Sequence, residues 1–250
     1  MSLFNDKLKT ITLKELLPLI IVLFTIQYLF NTLNIVHINL VWIYIFIILY
    51  FIFKLHIEIL TIGEDISDVF DSNLIRTVVL VVALNIFFSY GMLYLSNYIL
   101  GIVPSFDSMF NSFLGISFIA TVFISPISEE LIFRGVFINR LKLIVPTVFA
   151  VLISSLMFAS LHTFGSIFSA FIFSLSVSIL YLKTDNIFVP ILAHFLNNLF
   201  AEIIVIFDSN KVLFTNNLVM GIMSILAIVS FVILSYFIVD RLKKLNNNDL

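Results

Sequence analysis

The sequence predicts an all-α integral membrane protein, a bundle of about eight transmembrane helices. Of the 250 residues, 61% are hydrophobic and only 11% are charged, whereas a soluble domain carries about 25% charged residues. The mean hydropathy is +1.18. The apolar residues also occur in runs close to the length of about 20 residues that a helix needs to cross a bilayer.

These runs define eight candidate spans. No residue with a formal charge lies between Glu15 and Lys54, so the first two spans are the clearest. The N-terminal lysines before a long apolar run resemble a signal peptide, but the run is too long and has no small-residue cleavage site. We therefore interpret it as a retained helix. The spans cover roughly residues 16–35, 38–53, 75–99, 109–128, 146–162, 165–182, 187–207 and 217–239.

The positions of lysine and arginine predict that both termini are cytoplasmic, because cytoplasmic loops are enriched in these residues. With eight spans and both ends inside, the outer side receives only Lys211, and Arg134 stands apart within the membrane region. An odd number of spans would scatter the charges over both faces. The cytoplasmic side receives Lys7, Lys9, Lys14, Lys54, Arg76, Arg140, Lys142, Lys183, Arg241, Lys243 and Lys244.

Composition also excludes several classes of function. The net charge is −2 and no basic patch stands out, so nucleic acid is not expected as a partner. The chain has no cysteine, which excludes disulfides, cysteine-ligated zinc, iron–sulfur clusters and thiol nucleophiles. Segment 57–71 has apolar residues at helical spacing, which predicts an amphipathic helix along the cytoplasmic interface. Its acidic polar face argues against attraction to anionic lipid.

The stretch SPISEELIFRGVF, residues 125–137, places charges inside this apolar chain. Such residues are costly in hydrocarbon and usually face a partner or a cavity. Pro126 predicts a kinked or restarted helix with Ser128 as its N-cap. Glu130 and Arg134 are four residues apart and form a natural ion pair on one face. Glu129 is rotated by about 100° from Glu130, so it is left over, unless both acids merely cap a buried helix.

Two histidines lie in predicted helices. His162 ends the fifth span, and His194 lies in the seventh, with Asn198 on the same face. At a rise of 1.5 Å per residue, Glu129 and these three residues lie about 12–24 Å from the cytoplasmic ends of their helices, so convergence is plausible. A lone histidine in a bundle is more often a hydrogen-bonded core residue. Glu202 lies four residues after Asn198 and extends the stripe of polar residues that His194 and Asn198 form on one helix face. We expect it at the outer interface, with a cavity-lining role as the alternative.

Three motifs in this order resemble a known family. Glu129, Glu130 and Arg134 match EExxxR, Phe158 to His162 matches FxxxH, and His194 to Asn198 matches HxxxN. About residues 109–205 are therefore similar to the CPBP family of intramembrane proteases. That family includes the type II CAAX prenyl endopeptidases and bacterial proteins of the Abi type, which are bacteriocin-processing and self-immunity proteins.

The resemblance implies eight helices with a polar cavity among helices four to seven. It implies that Glu129 and His162 activate a water that hydrolyses a peptide bond. His194 and Asn198 would stabilise the oxyanion, while Glu130 and Arg134, with the motif residue Phe158, support the site. The residues agree with this: His194 and Asn198 offer two donors from one helix face, and no cysteine or suitable serine–base pair competes as the nucleophile.

A zinc mechanism is the alternative, with Glu129, His162 and His194 as ligands and an open fourth position. The chain has no HExxH motif, and Asn198 is a poor zinc ligand but a good oxyanion donor. We therefore expect a glutamate-type enzyme without a cofactor.

We divide the chain into residues 1–108 (helices one to three with the amphipathic loop), 109–207 (the catalytic core) and 208–250 (the last helix and a basic tail). The expected partners are the bilayer and a peptide or small membrane-protein substrate. Heavy use of Ile, Phe, Asn and Lys is typical of AT-rich bacterial genomes and predicts a bacterial plasma membrane. The substrate is then a leader, signalling or CAAX-like peptide.

Two other classes of function remain. A non-catalytic membrane scaffold or bacteriocin self-immunity protein could use the same fold, although all the polar residues of the motifs are present. Intramembrane acids and histidines also mark proton- or ion-coupled transporters. Inverted repeats with paired broken helices would support transport, and the sequence has no visible repeat.

Overall fold

The computed structural model describes residues 3–56, 59–95, 118–162, 167–208 and 212–246, which form helices and no strand. We number the helices in chain order. They are α1 (Leu3–Leu8), α2 (Leu13–Thr32), α3 (Leu40–Leu55), α4 (Ile59–Val69), α5 (Ser72–Leu95), α6 (118–141), α7 (Thr147–Ser160), α8 (Ile167–Thr184), α9 (Phe188–Phe207), α10 (Val212–Thr215) and α11 (Asn217–Asn246).

The architecture confirms a multi-pass, all-α membrane protein. Helices α2, α5, α8, α9 and α11 are long and apolar enough to cross a membrane, and α3 and α7 are shorter apolar helices. Large apolar side chains such as Ile21, Phe53 and Tyr236 are mostly exposed on the outside of the bundle, as expected of side chains that face lipid. The predicted spans match these helices closely, apart from the fourth. Residues 109–117 of that span lie outside the described residues, and α6 continues to residue 141 instead of ending at residue 128.

The predicted restart of the fourth helix at Pro126 is wrong. The backbone stays helical through Ile124 and Ser125, and Ser128 lies in the helix interior rather than at an N-cap. Residues Ala120–Ile124 form a π-helical turn, in which the Ser125 amide donates to the carbonyl of Ala120, five residues earlier. This wider turn immediately precedes the proline, so α6 accommodates the ring without ending.

The N-terminal segment packs into one end of the bundle. Leu8 and Ile11 are fully buried, and Phe4 is nearly so. Leu8 lies against α6 at Gly135, where a Cβ atom would overlap the end of the leucine side chain. The absence of a side chain at this glycine therefore lets α1 approach the helix that carries the motif acids.

Polar contacts at the same end of the bundle link the α1–α2 connection to α6 and to the α8–α9 connection, and α2 to α3. Lys9 Nζ lies 2.8 Å from Asp185 Oδ2, between α8 and α9, and Arg140 Nε donates to a backbone carbonyl of the α1–α2 connection at 2.6 Å. Burial opposes the charge on Lys9, but its hydrogen bonds to Asp185 and to a second acid raise its pKa. Glu15 and Lys54 pair at 3.0 Å where α2 begins and α3 ends.

These contacts bring the N-terminus and the ends of α3, α6 and α8 to one end of the bundle, as the alternating topology requires. Lys211, which the charge pattern places on the opposite side, lies outside the described residues. Which side of the membrane faces the cytoplasm stays a prediction.

The predicted amphipathic helix is present as α4, although its faces differ from the expectation. Asp65 and Val69 are buried against the bundle, whereas Ile66 and Phe70 are exposed. Asn186, between α8 and α9, donates its side-chain amide to the Asp65 carbonyl at 2.7 Å. Part of the acidic face therefore turns inward, and part of the apolar face is left uncovered.

We predict that Gly91→Ala destabilises the bundle. Helices α5 and α11 pack closely along their length, and a Cβ atom at Gly91 would overlap the Ala227 side chain and the Met223 carbonyl. Overpacking of this kind typically costs about 1–3 kcal/mol. Thermal unfolding of the purified protein in detergent should therefore show a lower midpoint than for the wild type.

The matched control is Gly221→Ala on α11, where an added Cβ atom meets nothing within 4 Å. This variant should be neutral or slightly more stable, because alanine favours helix over glycine. Equal midpoints for the two variants would contradict the close packing of α5 on α11.

Candidate functional site

Arg134 and His194 meet at Glu130 in the apolar core. Its Oε1 atom accepts from Arg134 Nη1 at 2.9 Å and from His194 Nδ1 at 2.8 Å. Glu130 and Arg134 are completely buried, and His194 is 3% exposed. The structure therefore contains the i,i+4 pair that the sequence predicts and adds His194 of α9 to it. A single carboxylate oxygen thus connects the EExxxR and HxxxN motifs.

Helix α8 supplies three further hydrogen-bond acceptors to the guanidinium of Arg134. Its Nη2 donates to the Ser174 hydroxyl at 2.8 Å and to the Ser174 carbonyl at 3.1 Å, and its Nε donates to the Ser178 hydroxyl at 3.3 Å. The Phe158 ring of α7 lies 4.7 Å from the guanidinium carbon. Arginine can remain charged here because it has both an anionic partner and several acceptors.

Glu129 is held by two hydroxyl groups that the motifs do not contain. Tyr44 of α3 donates to Glu129 Oε1 at 3.0 Å, and Ser125 donates to the same oxygen at 2.5 Å. The other oxygen, Oε2, lies 4.0 Å from His194 Nε2. Glu129 thus makes no hydrogen bond to Arg134 and projects in a different direction from Glu130, as the helical geometry predicts. Its carboxylate faces the imidazole from the side opposite Glu130.

Phe158 separates the two imidazoles. Its ring centroid is 4.5 Å from that of His162 and 5.6 Å from that of His194. His162 Nδ1 lies 3.0 Å from the Phe158 carbonyl, and a carbonyl only accepts. Nδ1 therefore carries the hydrogen, and a neutral ring would offer Nε2 as an acceptor. Phe158 thus orients one histidine through its backbone and contacts both through its ring.

Asn198 hydrogen-bonds a carbonyl of α6 that has no donor within α6. Its side-chain amide donates to the Thr121 carbonyl of α6 at 2.9 Å. In a helix this carbonyl would accept from residue 125 or 126. The Ser125 amide is engaged by Ala120, and Pro126 has no N–H. Asn198 therefore supplies the missing hydrogen bond, which fixes α9 against the π-helical turn of α6.

Glu202 is 7% exposed, so the interfacial position expected from the sequence is not observed. Its Oε1 atom is buried and has no hydrogen-bond partner among the described residues. On the same helix, Asn197 accepts from Asn85 of α5 at 2.9 Å. The stripe from His194 to Glu202 thus faces the bundle along its whole length, in line with the cavity-lining alternative.

An apolar groove lies beside this site, between α4, α6 and α9. Its volume is about 250 Å³, and its lining is almost entirely apolar. Four phenylalanines contribute to it, together with Pro126, which lies three residues before Glu129. The phenylalanines are Phe70, Phe123, Phe188 and Phe195. The uncovered apolar face of α4 forms one wall.

A comparison with protein-family models bears on this constellation. Residues 111–200 match the family described as type II CAAX prenyl endopeptidase Rce1-like. This part of the chain is therefore similar to that family. The match spans little more than a third of the chain, but it includes all three motifs. No curated protein and no solved structure matches the chain.

The Rce1-like region thus supplies α6 to α9 and, with them, Glu129, Glu130, Arg134, His162, His194 and Asn198. The contact from Tyr44 comes from α3, outside the matched residues. Sequence reasoning missed Tyr44, because a tyrosine in an apolar helix is not unusual. It also missed Ser174 and Ser178, although a pair of serines four residues apart on an apolar helix was a usable signal for a buried polar partner.

The donor set of the Rce1-like region also bears on metal binding. In the described part of the chain, no group of three His, Asp or Glu side chains is arranged to hold a metal ion. His194 turns Nδ1 to Glu130 and His162 turns Nδ1 to a carbonyl. In both histidines Nε2 is the nitrogen that faces away from these contacts.

We predict that Glu130 and Arg134 are energetically coupled. Removing one partner of a buried pair typically costs about 3–5 kcal/mol, because the other charge stays uncompensated. Glu130→Gln and Arg134→Met should each lower folded yield and thermal stability. The double variant should lose less than the sum of the single losses. Thermal denaturation in detergent measures this cycle.

The matched control is Glu15→Gln with Lys54→Met, since this pair has a similar distance of 3.0 Å but is exposed. Exposed pairs are weak, so this cycle should show little coupling. Additive losses at Glu130 and Arg134 would rule out the coupling.

Proposed function

We propose that the chain is an intramembrane endopeptidase in which Glu129 and His162 activate a water without a metal ion. The observation that carries the proposal is the arrangement of Glu129. Its Oε1 is held by two hydroxyls, while its Oε2 lies 4.0 Å from His194 Nε2 within a buried cluster. A carboxylate fixed at one oxygen can accept a proton at the other, as a general base does.

The separation of these two atoms suits a bound water. Hydrogen bonds from water have heavy-atom distances of about 2.8 Å. A water at that distance from both Glu129 Oε2 and His194 Nε2 would make an angle of about 90° between them. The attacking water therefore has two polar contacts in this gap, and Glu129 takes its proton as it adds to the peptide carbonyl.

His194 and Asn198 are the proposed donors to the oxyanion. His194 Nδ1 is already engaged by Glu130 Oε1, so the donor role requires a hydrogen on Nε2. Nε2–H is then available once the water has moved to the substrate carbon. Asn198 uses one amide hydrogen on the Thr121 carbonyl and keeps the second for the oxyanion. Donors fixed before the reaction stabilise charge at little reorganisation cost.

His162 is the proposed partner of Glu129 in activating the water. Its Nδ1–H is held by the Phe158 carbonyl. Nε2 can therefore accept a hydrogen bond from the water, or pass the proton from Glu129 to the leaving amine. With hydrogen on Nδ1 alone, both histidines would also suit zinc, whose histidine ligands typically donate their other nitrogen to a carbonyl or carboxylate. In that alternative Glu129, His162 and His194 would hold the zinc, which would supply a Lewis acid for the water.

The proposed substrate is a membrane-associated leader, signalling or CAAX-like peptide. The apolar groove beside the site would receive an apolar part of that substrate, since its lining offers almost no polar contact. The proposed location is a bacterial plasma membrane with both termini cytoplasmic. The groove lies at the end of the bundle that also carries α1, so the substrate would then enter from the cytoplasmic side.

Glu129→Gln should abolish hydrolysis while the protein still folds, because the side chain keeps its shape and loses its base. Mass spectrometry of membrane and secreted peptides from cells with the wild type or the variant should reveal peptides whose cleavage depends on Glu129. A synthetic prenylated CAAX peptide is the first purified substrate to test.

The control is Glu15→Gln, the same change at an exposed glutamate in α2, which should cleave like the wild type. Near-wild-type turnover by Glu129→Gln would refute its role in activating water. Identical peptide profiles combined with an unchanged toxin-immunity phenotype would instead favour the scaffold or self-immunity function.

The metal-free mechanism predicts that purified protein contains no stoichiometric zinc and that activity survives prolonged treatment with a strong chelator. His194→Gln should then lower kcat more than it raises KM, by about 10²–10³, because an oxyanion donor acts in the transition state. Elemental analysis and steady-state kinetics measure both quantities. About one zinc per chain, with activity lost on chelation and restored by zinc, would replace this mechanism and leave the protease function intact.

A further inference from the structure

We propose that Tyr44 is a positioning residue for Glu129, which extends the site to α3. This inference rests on the proposed function. Tyr44 is partly buried, and its hydroxyl donates to Glu129 Oε1 at 3.0 Å across 85 residues of sequence. Helix α3 packs on α6 where Ser125 and Glu129 lie. Tyr44 therefore reaches the carboxylate from outside the matched region, 111–200.

The two hydroxyl donors have a geometric effect on Glu129. A glutamate side chain has several rotatable bonds, and a single hydrogen bond leaves its carboxylate free to rotate about that contact. Tyr44 and Ser125 approach Oε1 from two different helices, so together they fix both its position and its rotation. Oε2 then points toward His194 Nε2, which lies 4.0 Å away.

The other neighbours of Glu129 do not provide this restraint. Arg134 is engaged by Glu130 and α8, and His162 by the Phe158 carbonyl. The nearest atom of His194 is too far from Glu129 for a direct hydrogen bond. Among the described residues, only the two hydroxyls hydrogen-bond to this carboxylate. Ser125 lies four residues away on the same helix, so Tyr44 is the contact that ties Glu129 to a second helix.

The test is Tyr44→Phe, which keeps the ring and removes only the hydroxyl. We expect kcat to fall by about 10- to 100-fold, as is typical when a group that orients a reacting side chain is lost. KM and the thermal midpoint should change little. The assay uses the prenylated CAAX peptide, or the Glu129-dependent peptide found by mass spectrometry, with purified protein in detergent.

The control is Tyr50→Phe on the same helix. The Tyr50 hydroxyl is buried and has no hydrogen-bond partner among the described residues, so its loss should leave kcat unchanged. A double variant, Tyr44→Phe with Glu129→Gln, should be no less active than Glu129→Gln alone, because Tyr44 acts through Glu129. If Tyr44→Phe proves unstable, Ser125→Ala tests the same restraint, since it removes the other donor to Oε1.

Each outcome decides the inference. Unchanged kcat in Tyr44→Phe, a higher KM with normal kcat, or a loss of yield with normal turnover per folded molecule would overturn it. So would normal turnover in Ser125→Ala, if that variant stands in for an unstable Tyr44→Phe. An inactive Glu129→Gln variant together with a fully active Tyr44→Phe variant would refute only the role of Tyr44. An active Glu129→Gln variant would refute the proposed water activation instead.

Discussion

The side chains of Arg134 and His194 share one carboxylate oxygen, Glu130 Oε1, and the arrangement of the core depends on that contact. Arg134 could not remain charged in an apolar bundle without Glu130, and Glu130 could not without Arg134. Because Arg134 also binds α8 and His194 lies on α9, the same pair sets the spacing of three helices. Phe158 of α7 covers the guanidinium with its ring. The geometry around Glu129 thus depends on an ion pair that makes no direct contact with it.

The irregular winding of α6 explains how this crowding is accommodated. Its two π-helical stretches, Ala120–Ile124 and Leu131–Ile138, lie on either side of the two glutamates. Wider turns leave carbonyls without helical donors, and side-chain amides supply the missing hydrogen bonds. Asn198 donates to the Thr121 carbonyl, and Asn139 donates to the carbonyls of Arg134 and Gly135. π-Helical turns are frequent at functional sites, and here they accompany the residues proposed for catalysis.

Local spacing made much of this predictable. Apolar runs predicted most of the long helices to within a few residues, although not the end of α6, and the i,i+4 spacing predicted the pair of Glu130 and Arg134. The restart at Pro126 was wrong because spacing rules assume an α-helix and cannot detect a π-helical turn. The partners of Glu129 could not be predicted either, since Tyr44 is 85 residues away and no periodicity links α3 to α6. The inward turn of Asp65 likewise depends on tertiary packing, which a helical pattern does not contain.

The N-terminal segment has a consequence for the order of assembly during synthesis. Lys9 and its partner Asp185 are 176 residues apart. Chains elongate at about 5–20 residues per second, so Asp185 is made roughly 9–35 s after Lys9. Leu8 likewise has no Gly135 to pack against until α6 has been made. During this interval α2, α3 and α5 can insert before either partner has been made. The contacts of Leu8 and Lys9 therefore form only after most of the bundle has been synthesised.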